Sequence, residues 1–186
     1  MIGKKNIVFG FLYLLLTASL GPYMIVHYFP EVGKAGAEKQ QVMSRLAQVK
    51  ADGFEENLEP MSAEQIARLD AEALLAMSKA DNAMAPIEAI KGGPHTHGNL
   101  EAVLNIIAGL VLGFIALKPL FKQVISWVFI AGALLHSGML YLGFLGVGWA
   151  TTVLNTGIGP VLVLLGFLLI GIAAAVGFRG ELIRDS

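Results

Sequence analysis

The sequence predicts an all-α integral membrane protein: a four-helix bundle with a short amphipathic helical segment on its outer, periplasmic side. Composition is the first reason. Of the 186 residues, 55% are hydrophobic and 15% are charged, and the mean hydropathy is +0.68, whereas a soluble domain has about 25% charged residues. The second reason is that the apolar residues are grouped in four long blocks, which is typical of membrane-spanning helices.

The four apolar blocks cover approximately residues 7–28, 100–117, 124–145 and 152–178. At 1.5 Å per residue, about 20 helical residues cross a hydrocarbon core of roughly 30 Å. The second block is the shortest, and it spans only if Gly98, Asn99 and Glu101 lie at the membrane interface. The fourth block is long enough to tilt, and Pro160 allows a kink near its outer end.

Basic residues flank the blocks and predict the orientation. Lys4 and Lys5 precede the first block, Lys118 and Lys122 separate the second and third, and Arg179 and Arg184 follow the fourth. With an even number of spans these clusters share one face, which the positive-inside rule makes cytoplasmic. We therefore expect a protein of the bacterial inner (cytoplasmic) membrane, with both termini in the cytoplasm and residues 30–97 in the periplasm.

The first block resembles a signal peptide because two lysines precede an apolar run that ends in the small residues Thr17, Ala18 and Ser19. We interpret it as a signal anchor that is retained. The predicted organisation is a signal-anchor helix at 1–29, an outer amphipathic segment at 30–97, a three-helix transmembrane region at 98–178 and a cytoplasmic tail at 179–186.

The outer segment contains two amphipathic patterns. Residues 34–49 are rich in Ala, Glu, Lys and Gln, and a second pattern begins where Ser62 and Gln65 have the spacing of a helix-capping box. The apolar positions are Val42, Leu46 and Val49 in the first pattern and Ile66, Leu69, Ala73, Leu74 and Met77 in the second. These helices either pack on each other and on the bundle, or form a docking surface for a larger partner or a soluble electron carrier.

Composition also excludes several functions. The chain has no cysteine, which excludes disulfides, Fe–S clusters, thiolate metal sites and cysteine nucleophiles. A net charge of −1 provides no basic surface for nucleic acid. No serine or carboxylate pair accompanies a histidine at a spacing suited to hydrolysis, so the sequence indicates no catalytic residue. A metal or cofactor must be held by His, Met, Tyr or carboxylate groups.

The histidines are the main candidates for such a role. There are four, and the predicted topology places all of them in the outer half of the membrane or at its outer edge: His27, His95, His97 and His136. His136 lies inside the third block, where an ionisable side chain is costly and normally faces a partner in the bundle. It is either hydrogen-bonded to Asn105 or Glu101, or a ligand of a metal or haem iron.

Helix rise gives approximate depths for these residues. Counted from the inner basic residues at 1.5 Å per residue, His136 stands ~21 Å up its helix, His97 ~32 Å and His27 ~33 Å. One small site built from all four histidines is therefore strained. A haem tolerates the difference better because it is a large plate, with one axial ligand from His136 and the other from a histidine above.

His95 and His97 allow a second kind of site. If the segment after Pro94 is extended, residues two apart project to the same side, and both imidazoles can bind copper or zinc together with His27. Glu101 follows His97 by one helical turn. It either orients His97, binds the metal directly, or favours the positive N-terminus of its helix.

The run Pro-His-Thr-His-Gly-Asn-Leu at 94–100, with His136 in the next helix, resembles small bacterial membrane proteins described as haem-copper oxidase subunit I-like or b-type cytochrome-like. The resemblance covers residues 94–141. It implies that His95 or His97, together with His136, are haem or metal ligands. Four histidines cannot build the haem and multi-histidine copper centres of a true subunit I, so it does not imply oxygen reduction by this chain.

The leading hypothesis is a haem- or metal-binding membrane protein, a b-type cytochrome-like electron-transfer component or a respiratory-complex subunit. It would hold haem b near the outer face and exchange electrons with a quinol or an outer-side carrier, as an accessory subunit rather than a stand-alone enzyme. One alternative is a copper- or zinc-binding protein for metal supply or assembly. Another is a cofactor-free structural subunit. Each places the chain in the lipid bilayer, in a homo-oligomer or a larger membrane complex.

Overall fold

The structure is a computed structural model that describes residues 1–56 and 59–183. The regular elements within these residues are helices and one short pair of antiparallel strands. Arg184, predicted to belong to the last basic cluster, and the end of the predicted cytoplasmic tail lie outside the described residues. The all-α prediction is confirmed for the described part of the chain.

Nine α-helices are described, and two of the junctions between them are π-helical turns. The helices are α1 (Lys4–Ala18), α2 (Leu20–His27), α3 (Phe29–Ala51), α4 (Ala63–Ile90), α5 (Thr96–Leu112), α6 (Pro119–Ala133), α7 (Met139–Phe144), α8 (Gly148–Asn155) and α9 (Ile158–Gly177). The π-helical turns are Lys91–His95, before α5, and Leu134–Gly138, between α6 and α7. Strands β1 (Glu55–Glu56) and β2 (Glu59–Pro60) pair antiparallel between α3 and α4.

Three helical stretches in the described part of the chain are long and apolar enough to cross a membrane. They are Lys4–His27, Pro119–Phe144 and Ile158–Gly177. They correspond to the first, third and fourth predicted spans. The second predicted span contains α5, which has 17 residues and stops at Leu112 rather than at residue 117. A membrane protein is therefore supported, and the second predicted span, which would bring the total to four, stays a prediction.

The chain divides into two compact units, Met1–Pro22 with Ala89–Ser186, and Tyr23–Glu88. The second unit ends before the predicted outer segment does, because residues 89–97 fold with the helices of the first unit. Gly93 and Pro94 are buried there, and the His95 ring contacts the backbone of α1. His95 and His97, the histidines of the 94–100 motif, therefore belong to the first compact unit, which also contains α1.

Helices α1 and α5 pack closely because glycines lie between them. A Cβ atom on Gly10 would lie 2.6 Å from the carbonyl oxygen of Ala102, and one on Gly109 would lie 2.6 Å from that of Gly3. Small residues of this kind allow helix backbones to approach each other in lipid. This packing positions the polar side chains of α1 against those of α5.

An apolar core joins α5, α6 and α9. Its buried residues are Ala108, Leu112, Ile115, Ile125, Phe129 and Ala173. After α5 the chain folds back toward the end of α9, where the Arg179 N–H donates to the Phe114 carbonyl oxygen at 2.8 Å. The region between Leu112 and Lys118 is thus not a continuation of the helix.

The second unit contains the predicted amphipathic helices, which are longer than expected. The capping box is confirmed, since the Ser62 N–H donates to Gln65 Oε1 at 2.7 Å and the Gln65 N–H donates to Ser62 Oγ at 3.2 Å. An ion pair joins Glu38 of α3 to Lys79 of α4, and the hydrogen bond within it raises the pKa of Lys79.

The buried face of α4 differs from the predicted stripe. Leu69, Ala73 and Ala76 are buried, whereas Leu74 and Met77 are exposed. Helical residues three and four apart share a face, so Leu74, directly after Ala73, points away from the buried face. Met77 lies four residues after Ala73, at the edge of that face, and is 37% exposed. The prediction was right about the helix and wrong about these two positions.

Cysteine labelling distinguishes four spans from three. The natural chain has no cysteine, so single cysteines can be introduced without background. With four spans, Gly180→Cys and Ala116→Cys lie on the opposite side of the membrane from Gly36→Cys, because α5 crosses the bilayer. We expect a membrane-impermeant maleimide applied to intact cells to label only Gly36→Cys. Labelling of all three positions would show that α5 does not span.

Candidate metal centre

Three potential ligands from two helical elements come together in the first unit. His97 and Glu101 lie one turn apart on α5, and His136 lies in the π-helical turn between α6 and α7. One ligand atom from each lies within 4.8 Å of the others. Among the described residues, this is the cluster of His and carboxylate groups that is close enough to hold one metal ion.

The π-helical turn brings two consecutive residues to the same carboxylate. The His136 Nδ1–H donates to Glu101 Oε1 at 2.5 Å, while the Ser137 N–H lies 3.4 Å from Oε2 and the Ser137 hydroxyl donates to the same oxygen. A π-helical turn is wider than an α-helical one, and such turns are frequent at functional sites. Here the turn allows two neighbouring side chains to face Glu101.

Glu101 is deeply buried. The residue is 4% exposed, and its two oxygens are contacted separately by His136 and Ser137. A buried carboxylate is costly without a cation or hydrogen-bond donors. Its partners therefore determine whether this part of the fold is stable.

Tyr13 of α1 is connected to the site through Ser137. Its hydroxyl lies 2.8 Å from Ser137 Oγ, and at 3.5 Å it also reaches the carbonyl oxygen of Ala133. An ionised carboxylate only accepts hydrogen bonds, so Ser137 uses its single proton toward Glu101 and accepts from Tyr13. These hydrogen bonds connect α1 to the Glu101 carboxylate through the π-helical turn that follows α6.

The two imidazoles are close to each other. The ring centroids of His97 and His136 are 4.7 Å apart, and the rings are tilted by 58°. In a tetrahedral zinc site with bonds of about 2.0–2.1 Å, neighbouring ligand atoms are about 3.4 Å apart. The three ligand atoms lie within 4.8 Å of one another. The 2.5 Å between His136 Nδ1 and Glu101 Oε1 is shorter than the zinc-site value, so these two atoms would have to move apart for both to bind one ion.

The cofactor prediction is supported only in its coarser form, because these three residues could hold a metal ion. The ring centroids of His97 and His136 are 4.7 Å apart, and a porphyrin between the two imidazoles would require a wider separation. Haem binding stays a prediction.

His95 does not join the cluster. Its Nδ1 atom lies 3.0 Å from the Thr17 carbonyl oxygen and 3.4 Å from the amide nitrogen of Asn99. The extended conformation considered for this segment is wrong, because His95 has φ −71° and ψ −51° and leads into α5. Two residues on a helix are rotated by about 200°, so His95 and His97 face different sides.

His27 lies in the other unit, at the end of α2. Its ring stacks at a tilt on Tyr23, with centroids 4.4 Å apart. The structure thus brings together His97, Glu101 and His136 of the predicted ligands. It gives His95 and His27 other contacts.

The predicted depth difference between His97 and His136 is also wrong. The estimate of roughly 10 Å assumed one regular helix from His97 to Lys118, whereas α5 stops at Leu112 and the chain folds back. Counting non-helical residues at the helical rise placed His97 too far from the inner boundary. The two histidines are therefore close enough to share an ion.

Sequence reasoning missed Tyr13 and Ser137. Both are buried polar residues within candidate membrane spans, and such residues usually bond to another helix. That signal was present in the sequence. Asn105, one of two partners considered for His136, instead accepts a hydrogen bond from Asn6 at 3.0 Å.

Comparisons with known proteins do not identify the site. No family model matches the chain, and neither a curated protein nor a solved structure matches it. The resemblance of residues 94–141 to haem-copper oxidase subunit I-like proteins therefore stays a prediction. The function is therefore inferred from the geometry of the site.

Tyr13→Phe tests the hydrogen-bond chain behind the carboxylate. The substitution removes one buried hydrogen bond and retains the ring, so we expect the free energy of unfolding to fall by about 1 kcal/mol. Thermal unfolding in detergent, followed by circular dichroism, measures the change. Tyr141→Phe is the matched control and should leave the melting temperature unchanged. Equal effects of the two substitutions would contradict a role for the Tyr13 hydroxyl.

Proposed function

We propose that this chain is a membrane protein that binds one divalent transition-metal ion, zinc or copper, through His97, Glu101 and His136. The observation that supports this most directly is the convergence of their ligand atoms within 4.8 Å. Two imidazoles and a carboxylate are a common set of protein ligands for catalytic zinc. The proposal covers metal binding for supply or assembly.

The donor atoms favour zinc or copper over other ions. Imidazole suits Zn²⁺ and Cu²⁺, whereas Mg²⁺ and Ca²⁺ prefer sites made of oxygen ligands. Fe–S clusters require thiolate ligands, and the chain has no cysteine. Copper(I) prefers sulfur ligands, and the cluster consists of two histidines and a glutamate. The two nitrogen ligands therefore set the chemical class of the ion.

Charge gives a second argument. Glu101 is the one acidic residue between positions 89 and 180, and it is buried. Intramembrane ionisable residues are rare and usually mark a functional site. A divalent cation would neutralise the charge of the carboxylate while both imidazoles act as neutral ligands.

The surrounding residues resemble the outer shell of a metal site. Hydrogen bonds from such a shell fix the orientation of the ligands and tune their affinity. Ser137 donates to Glu101, and Tyr13 bonds to Ser137. Three protein ligands also leave a fourth position open, where a water or an incoming ligand can bind. An open position suits an ion that is to be passed on.

Orientation and membrane form part of the proposal. The basic residues at the start of α1, between α5 and α6 and after α9 favour a bacterial inner membrane protein with both termini in the cytoplasm. Under that topology α5 begins at the outer side, so that His97 and Glu101 lie near the periplasmic face. The ion would then be accessible from the periplasm.

Substitution of the four histidines tests the proposal with internal controls. We expect the purified protein to bind one Zn²⁺ and His97→Ala or His136→Ala to weaken binding by more than about 100-fold, because each removes a ligand. Glu101→Gln should act similarly, and Ser137→Ala should weaken binding by about ten-fold. Isothermal titration with Zn²⁺ and with Cu²⁺, supported by elemental analysis, measures the affinities.

His95→Ala is the matched control because it lies on the same turn as His97, and His27→Ala is a second control. Both should bind the metal within a few-fold of the natural protein. Equal losses in all four histidine variants, or binding that survives His136→Ala, would contradict the assigned site. If the natural protein in membranes binds neither metal, the Glu101–His136 pair is structural, as the cofactor-free hypothesis predicts.

A further inference from the structure

A groove opens between the start of α1 and the side of α6, and it includes none of the proposed metal ligands. Its volume is about 850 Å³. One end carries Lys4 and Lys5, and the walls include Val8 and Phe9 from α1 and Trp127 and Ile130 from α6. It therefore combines a cationic end with an apolar length.

The cationic end is ordered by contacts with α6. Lys5 donates to the Gln123 side chain, and its Nζ atom lies 4.2 Å from the centroid of the Trp127 ring. A lysine ammonium has three N–H donors, so hydrogen bonding to Gln123 leaves others for an anion. Lys4 is exposed beside it, and the residues that line the groove include no acidic side chain.

The groove continues past the lysine contacts into an apolar stretch. Lys5 contacts Gln123 and Trp127, and along α6 the lining continues to Ile130. The rise from Gln123 to Ile130 is about 10 Å, which accommodates part of an acyl chain within the roughly 15 Å of half a hydrocarbon core. Val8 and Trp127 are 49% and 57% exposed, and both lie on candidate membrane spans, so the groove is open where lipid chains would surround the protein.

We propose that this groove binds an anionic phospholipid. Its phosphate would lie at Lys4 and Lys5, and an acyl chain would follow Val8, Phe9, Trp127 and Ile130. Basic pockets between membrane helices are recognised lipid-headgroup sites. Two cations in a groove whose lining includes no acidic side chain favour a lipid with net negative charge over a zwitterionic one. This inference is independent of the metal site.

Fluorescence quenching by brominated lipids tests the proposal. The chain has two tryptophans, so Trp149→Phe leaves Trp127 as the reporter inside the groove. In mixed micelles, phosphatidylglycerol with dibrominated acyl chains should quench Trp127 at a lower mole fraction than brominated phosphatidylcholine. In the Trp149→Phe background, Lys4→Gln with Lys5→Gln should reduce this preference by about five-fold per lysine.

Two controls separate the site from general charge. Lys34→Gln with Lys39→Gln removes two positive charges from α3 and should leave the preference unchanged. Lys4→Arg with Lys5→Arg should retain it, provided that the helical circular dichroism is that of the natural protein. Equal quenching by the two lipids, or an unchanged preference after Lys4→Gln with Lys5→Gln, would overturn the proposal. Displacement of the lipid by the same concentration of inorganic phosphate would also overturn it.

Discussion

The burial of the Glu101 carboxylate constrains much of the first compact unit, which contains α1. Glu101 is 4% exposed and is the one acidic residue between positions 89 and 180, and a buried charge requires partners. Those partners come from the π-helical turn at Leu134–Gly138, and Tyr13 connects that turn to α1. One side chain thus relates three helical elements, which apolar packing alone would allow to slide or rotate.

Hydrogen bonding between helices continues away from the carboxylate. The Asn6 amide donates to Asn105 Oδ1 at 3.0 Å and to the Ser126 carbonyl oxygen at 3.0 Å. Toward the start of α5, Thr17 donates to Asn99 Oδ1 at 2.8 Å. Polar contacts of this kind contribute modestly to helix association in membranes, but they fix the rotation of each helix. That rotation is what directs His97 toward His136.

Hydropathy and capping rules predicted many of the helical elements, because both depend on local sequence. Three of the four apolar blocks, which correspond to candidate membrane spans, and the Ser62 capping box are examples. The site was predicted less well: the sequence suggested Glu101 as a partner of His136 but not its bonds to Ser137. A π-helical turn leaves little trace in hydropathy. The predicted depth of His97 was wrong because the chain folds back after Leu112. Pro94 suggested an extended segment where the chain is helical.

Zinc K-edge X-ray absorption of the purified protein, loaded with one Zn²⁺, tests the central claim most directly, because it reports the atoms around the ion. The account predicts two imidazole ligands and one carboxylate, with bonds of about 2.0–2.1 Å and a fourth light-atom ligand, and one imidazole fewer in His136→Ala. A shell of oxygen ligands without imidazole scattering, or a spectrum unchanged in His136→Ala, would contradict it.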